Sequence, residues 1–406
     1  MMSHAESVRR LVHVSIRLAV AIVGAFPLGA SALTGPSSSQ SPYVVPEAPG
    51  VVTTSILTVG DSVNNKPDGT AYRMVGIPDG LGAYSNGNGT FTVLMNHELG
   101  QTDGVSRAHG QKGSFVSQWT IDQNTLEVRQ GQDLIRNVHT YNAASNTYTL
   151  NDPVSTAFAR LCSADLPSRT AFYNPASGLG YDGRLFMNGE ESGLEGRAFA
   201  HVASGPNAGS SYELPRLGKF SWENAVANPS PSNATVMGLD DSSLRTGNTA
   251  SGQLYMYVGS KTNTGSEVER AGLTNGQLYG IKVAGLTSED RNTGLGASVK
   301  DFTLHNFGDV SSINGVTLNS VSDTHAVTRF LRAEDGAWDP RNPRDFYFVT
   351  TDRYDAVKDG VGTQLGRSRL FRLSFADIGD LTKGGRIETL LDGTELGNML
   401  DNIAID

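Results

Sequence analysis

One cysteine, Cys162, stands in the 406-residue chain. An internal disulfide is therefore excluded, and stability has to come from core burial, bound ions or both. The lone thiol is expected to be a buried, inert side chain, because a nucleophilic cysteine needs a neighbouring base. No Cys/His cluster has zinc spacing, and there is no P-loop, no dinucleotide glycine fingerprint after a strand and no Gly-x-Ser-x-Gly elbow. These absences remove most of the case for a nucleotide-cofactor enzyme or a serine hydrolase. Positive charge is also scarce: 32 Lys+Arg against 41 Asp+Glu give a net charge of −9. A phosphate backbone needs more Lys and Arg than that, which argues against nucleic acid as a partner. Carboxylates in excess suit hard cations instead.

Long hydrophobic runs are missing after the N-terminus. The only such run, Leu18–Gly29, follows Arg9, Arg10 and Arg17 and precedes the small-x-small triplet Ala30-Ser31-Ala32. That order reads as a signal peptide over residues 1–32, and the run is too short to span a bilayer comfortably. The expectation is a periplasmic or extracellular protein with no membrane span once the leader is removed. Residues 33–50 read as a flexible leader, and residues 51–406 as one folded domain.

Helical periodicity is absent as well. What the chain has is glycine, 47 residues of it, and short alternating strands, which together predict an all-β fold with many tight turns. The strands repeat in pairs. Phe91 and Phe115, Leu254 and Leu278, and Phe346 and Leu370 open strands 24 residues apart, and Leu185 and Ala198 open a closer pair. The first strand of each pair runs into polar residues: Asn96-His97-Glu98, Asn188-Gly189-Glu190-Glu191, Lys261 and Asp352-Arg353. Repeated strand pairs with equivalent charged ends predict a β-propeller whose strand ends gather at one mouth. The run Val51–Val59, rich in β-branched residues, predicts a strand that closes the ring.

Carboxylates crowd those strand ends and the adjacent loops: Asp79, Glu98, Glu190, Glu191, Glu223, Asp240, Asp241, Glu334, Asp335 and Asp401. Adjacent acids repel one another unless a cation neutralises them, and calcium takes six to eight oxygens from scattered groups. The metal-ligand candidates are Asp79, Glu98, Glu190, Glu191, Glu223, Asp240, Glu334 and Asp401. Arg107, Lys112, Lys261 and Arg353, with His109 beside the first two, are the candidates for stabilising charge on a phosphoryl group. His97, beside Asn96, is expected to be a hydrogen-bonding structural residue.

Five motifs carry a resemblance. Asn96-His97-Glu98 is similar to an early N-H-E, Asn188–Glu191 falls where T-C-E-E is found, and Leu217–Ala225 resembles L-G-R-F-S-H-E-A. Arg332–Asp335 resembles R-P-E-D, and Asp401-Asn402 a late D-N. Together, from about Gly76 onward, they resemble the PhoX-type alkaline phosphatase family, exported β-propellers whose site holds calcium with iron. The resemblance implies a six-bladed β-propeller, incomplete at its C-terminus because the chain stops at Asp406 where the family's ring continues. It implies metal-ligand positions at Glu190 or Glu191, Glu223 and Glu334, and a calcium-dependent hydrolase acting on a small-molecule phosphate ester. The cysteine of T-C-E-E, the thiolate expected for iron, is Gly189 here, which weakens the case for iron beside calcium and favours calcium. Two other functions fit the same features: a calcium-stabilised propeller that binds a ligand or partner without catalysis, and another metal-dependent propeller hydrolase such as a lactonase or phosphotriesterase.

Overall fold

The computed structural model describes residues 30–242, 250–289, 294–352, 368–395 and 399–405. The apolar run of the expected signal peptide and Arg353 lie outside the described residues. No helix among the described residues is long and apolar enough to cross a membrane.

The described chain is mostly β, built from four units of four antiparallel strands. Blade one is Pro78–Ser85, Thr90–His97, Phe115–Asp122 and Val128–Asp133. Blade two is Leu161–Asp165, Leu185–Glu190, Ala198–Val202 and Ser210–Glu213, extended at its outer edge by Asn137–Asn142 and Thr147–Leu150. Blade three is Trp222–Ala227, Ala234–Asp240, Gly252–Gly259 and Gln277–Val283. Blade four is Ala333–Trp338, Asp345–Thr350, Arg369–Phe375 and Gly385–Leu391. Lys300–Gly308 pairs with the last strand of both blades three and four and joins them into one continuous sheet. The first strands of consecutive blades pack on one another, so the blades are set radially with first strands innermost.

The alternating pattern explains the layering. Blade two hides Phe186, Phe199 and Leu161 against Phe158 and Leu94 of its neighbourhood, and blades three and four bury Met256, Phe330, Phe348 and Phe371 between them. Gly80 and Gly82 of blade one lie so close to blade two that an added Cβ would stand 2.4 Å from the Ala164 nitrogen and 2.5 Å from the Leu166 Cβ. Glycine there sets how tightly the two inner strands meet.

The repeated pairs are neighbouring strands within blades, but not always the same two. In blades one, two and four they are the second and third strands; in blade three, Leu254 and Leu278 open the third and fourth. Antiparallel neighbours run in opposite directions, so the strand before Lys261 runs away from the mouth that the other three reach. The stretch 51–59 does not close the ring either. Its strand Val52–Ser55 pairs in parallel with Ser31–Thr34, across the boundary between the expected signal peptide and leader, while Ile56 and Leu57 pack on blade one. Further leader contacts reach blade one, Ser37 Oγ accepting from the Val128 amide. One ten-residue helix, Gly315–Thr324, was not visible as a period; its cap is Asn314, whose side chain accepts from the Thr317 amide.

Candidate metal centre

Each inner strand opens with the same device. Its second residue is Asp79 in blade one, Cys162 in blade two, Glu223 in blade three and Glu334 in blade four. At each of these places the pairing with the second strand slips: between Pro78 and Leu81, Leu161 and Ala164, Trp222 and Ala225, and Ala333 and Gly336. A bulge of this kind bends the strand and re-aims a side chain. Glu98, Glu191 and Asp241 follow directly on the second strands of blades one to three, where blade four has Thr351.

These side chains converge. Donor atoms of Asp79, Glu98 and Cys162 lie within 4.8 Å of one another, as do those of Cys162, Glu191 and Glu223, and those of Glu223, Asp241 and Glu334. Cys162 and Glu223 belong to two trios each, so the three form one chain across the inner strands. Burial raises the carboxyls of Asp79, Glu98, Asp241 and Glu334, and the Asp401 charge adds to the rise in each. Two arginines enter the cluster. Arg160 pairs with Glu98 at 2.7 Å and with Glu191. Arg332 grips Asp241 through two bonds of 2.8 and 2.7 Å and reaches Glu334 at 2.9 Å. Both arginines sit in the left-handed backbone region, φ 44° and 59°, two residues before Cys162 and Glu334. Such backbone strain persists where the surroundings enforce it, often at functional sites.

Seven carboxylates facing two guanidiniums leave negative charge uncompensated. Burial, and then the Glu334 charge, raises the Glu223 carboxyl well above the ordinary range. Burial first and Asp241 second push Glu334 up to about 8, and burial moves Asp241 to about 6. Both Glu223 oxygens are buried with no hydrogen-bond partner. An unpaired buried carboxylate costs several kcal/mol, roughly 3–5 when a partner has been removed.

Period-two geometry sorts the acidic pairs, because adjacent residues of a strand face opposite sides. Glu191 joins the cluster, whereas Glu190 is held by Arg197 through bonds of 2.7 and 2.8 Å and accepts from the Ala159 amide. Asp241 joins it, whereas Asp240 accepts from Ser242 at 2.6 Å and from the Gln253 amide. Glu334 joins it, whereas Asp335 is tied to Asn224 at 2.6 Å and to the Gly336 amide. Of the ligand candidates, the structure thus gathers Asp79, Glu98, Glu191, Glu223, Glu334 and Asp401. It turns Glu190 and Asp240 away and brings in Asp241 and Cys162. Cys162 is half-buried rather than fully buried, and its Sγ lies 3.3 Å from an Asp79 oxygen; burial raises the thiol, in keeping with the inert side chain expected. Gly189 faces Trp222: an added Cβ would stand 2.4 Å from the Trp222 Cβ, so a side chain has no room there.

The cationic candidates among the described residues lie elsewhere. Lys261 donates to the Thr170 carbonyl at the far end of blade three, and burial lowers it to about 8. Arg107 stacks on Phe115, 3.5 Å from the ring centre, near Asp133. Lys112 is exposed, and His109 is buried against Phe158. Arg160 and Arg332 were missed, although they stand two residues before Cys162 and Glu334 of the cluster. His97 is structural as expected, bonded to the Val75 carbonyl and Ser117 Oγ. A buried relay supports the cluster from behind: His201 bonds Asn188, Asn188 donates to Asn96, and Asn96 donates to the carbonyls of Cys162 and Ser163.

Radial four-stranded blades with an acidic centre define a protein of the β-propeller class. Among solved structures, the chain is similar to Pseudomonas fluorescens PhoX in complex with vanadate, a transition state analogue, with a TM-score of 0.50 at 12% identity over 77% of this chain. The match covers 66% of that chain. At such low identity the likeness establishes a shared fold. No family model matches the sequence, and no curated protein matches it.

Proposed function

We propose that this chain is a metal-dependent phosphoric ester hydrolase of the PhoX type, with calcium among its ions. The observation that carries the reading is Glu223: a fully buried carboxylate with both oxygens unpartnered, facing Asp241 and Glu334 on one side and Cys162 and Glu191 on the other. Only a cation relieves that arrangement without a proton. The trio Glu223, Asp241 and Glu334 offers oxygen alone, which suits calcium. Cys162 offers sulfur to the other two trios, which suits a softer ion such as iron. Bound ions would hold a phosphate and activate a water. Arg160 and Arg332, already at the cluster, would take the remaining phosphoryl oxygens in bidentate fashion. The vanadate complex of the similar structure fits a site for phosphoryl transfer. An exported location follows from the leader sequence and belongs to the same reading.

The test is metal content by mass spectrometry together with hydrolysis of a phosphomonoester, a phosphodiester and a lactone. Calcium in the protein and turnover of the phosphomonoester are expected. Bound calcium without turnover of any substrate would favour a non-catalytic propeller, and turnover of the lactone alone another hydrolase.

A further inference from the structure

Beside the carboxylate cluster lies a cavity of about 420 Å³, much larger than a phosphate group needs. Arg160, Glu191 and Asp241 form its cluster side. Its other walls include Ser221, Ser242, Ser251, Asn319, Arg329 and Leu194. Among the described residues no aromatic side chain lines it, and Leu194 is the one aliphatic wall.

The polar groups are held in defined roles. Arg329 is buried and engaged through all three of its nitrogens: it donates to Asp323 at 2.7 Å, to the Ser251 carbonyl, and to Asn319 Oδ1 at 2.9 Å. Its charge is balanced by Asp323, so it does not call for a second anion. By occupying Asn319 Oδ1, it fixes the Asn319 amide so that Nδ2 is the group left to donate. Ser242 Oγ gives its proton to Asp240, which leaves its lone pairs to accept. The cavity therefore presents neutral donors and acceptors side by side.

We infer that this cavity is the leaving-group subsite and that it selects a hydroxyl-rich alcohol, so that the substrates are sugar or polyol phosphates rather than aryl phosphates. The inference rests on the phosphoryl reading above. In the reaction the ester P–O bond breaks, water supplies the new P–O bond, and one water proton ends on the departing alcohol oxygen. A polyol would exchange its water hydrogen bonds for those of Asn319 and Ser242. An aryl group would leave these polar groups without partners, and a site built for hydroxyls rejects an analogue that lacks them.

The experiment compares kcat/KM for glycerol 2-phosphate, glucose 6-phosphate and phenyl phosphate in the metal-loaded wild type, Asn319→Leu and Ser242→Ala. Loss of one hydrogen bond should lower the ratio of polyol to aryl turnover by about tenfold in each variant. The two substitutions act on different walls, so a folding defect in one leaves the other informative. Aryl turnover with an unchanged ratio in the variants would overturn the subsite while leaving the phosphatase reading intact. No turnover of any of the three esters would overturn both.

Discussion

Glu190 and Glu191 are neighbours with opposite duties, and the difference is measurable. Glu190→Gln would leave Arg197 buried with its charge unmatched, and roughly 3–5 kcal/mol of stability should be lost with or without calcium. Glu191→Gln should lower bound metal and the calcium-dependent part of stability, with little effect on the metal-free protein. Denaturant titrations of both variants, with calcium and with a chelator, check this; equal behaviour would mean that the two carboxylates share a role. Protonation adds a second residue-scale expectation. Glu334 and Asp241 have folded-state values, about 8 and about 6, above the ordinary carboxylate range. In the metal-free protein their contribution is complete below the unfolded value and is lost as pH rises toward 8. His97 and His201 are shifted the other way by burial, to about 4 and about 3. Their contribution is complete above about 6.5 and is lost as pH falls toward 4. The chelated protein should therefore be most stable between those limits, each titrating group changing stability by up to about 1.4 kcal/mol per pH unit. Calcium should flatten the alkaline side alone, and melting curves across pH would show it.

At the scale of strands, the bulge that opens each inner strand decides which side chain reaches the centre. Sequence made the acidic residues visible because they stand at the ends of apolar runs, and Glu98, Glu191, Glu223 and Glu334 were legible for that reason. Choosing between neighbours was not possible: Asp240 and Asp241 differ only in which side of the sheet they face, and a one-residue slip exchanges them. Lys261 misled because its strand is the third of its blade, not the second, and direction along a strand is invisible in a 24-residue spacing. Cys162 was overlooked because no charged partner adjoins it in sequence; its neighbours Asp79 and Glu223 arrive from other blades. Gly189 has a steric cause that no motif comparison contains, the Trp222 ring lying across it. Gly189→Cys, which would place a thiol before Glu190-Glu191, should destabilise the fold by roughly 1–3 kcal/mol and add no metal. A stable variant with raised metal content would overturn that steric argument.

The described molecule is organised so that four inner strands deliver four candidate ligands to one centre while blade cores form between neighbours. The all-β class and the propeller likeness were readable from glycine, strand length and repetition, whereas the N-terminal segment was not. Its β-branched run packs on blade one and pairs with Ser31–Thr34, because Ile56 and Leu57 find the apolar surface of Trp119, Ile121 and Val128 there. Replacing Ile56 and Leu57 together by Ala should lower the denaturation midpoint, by roughly 2–4 kcal/mol in stability. The same change at Val44 and Val45, which are 72% and 66% exposed, should stay within about 0.5 kcal/mol. Similar losses in both pairs would contradict the docked arrangement. The centre itself is tested most directly by calcium-dependent melting of the wild type beside Glu223→Gln, with bound metal counted in each. A ligand at a hundredfold excess over its Kd adds about 2.7 kcal/mol, so calcium should raise the wild-type melting temperature by several degrees. Glu223→Gln should melt higher than the wild type in chelator, gain little from calcium and bind less of it. A variant that binds calcium and responds to it as the wild type does would contradict a single centre built on Glu223.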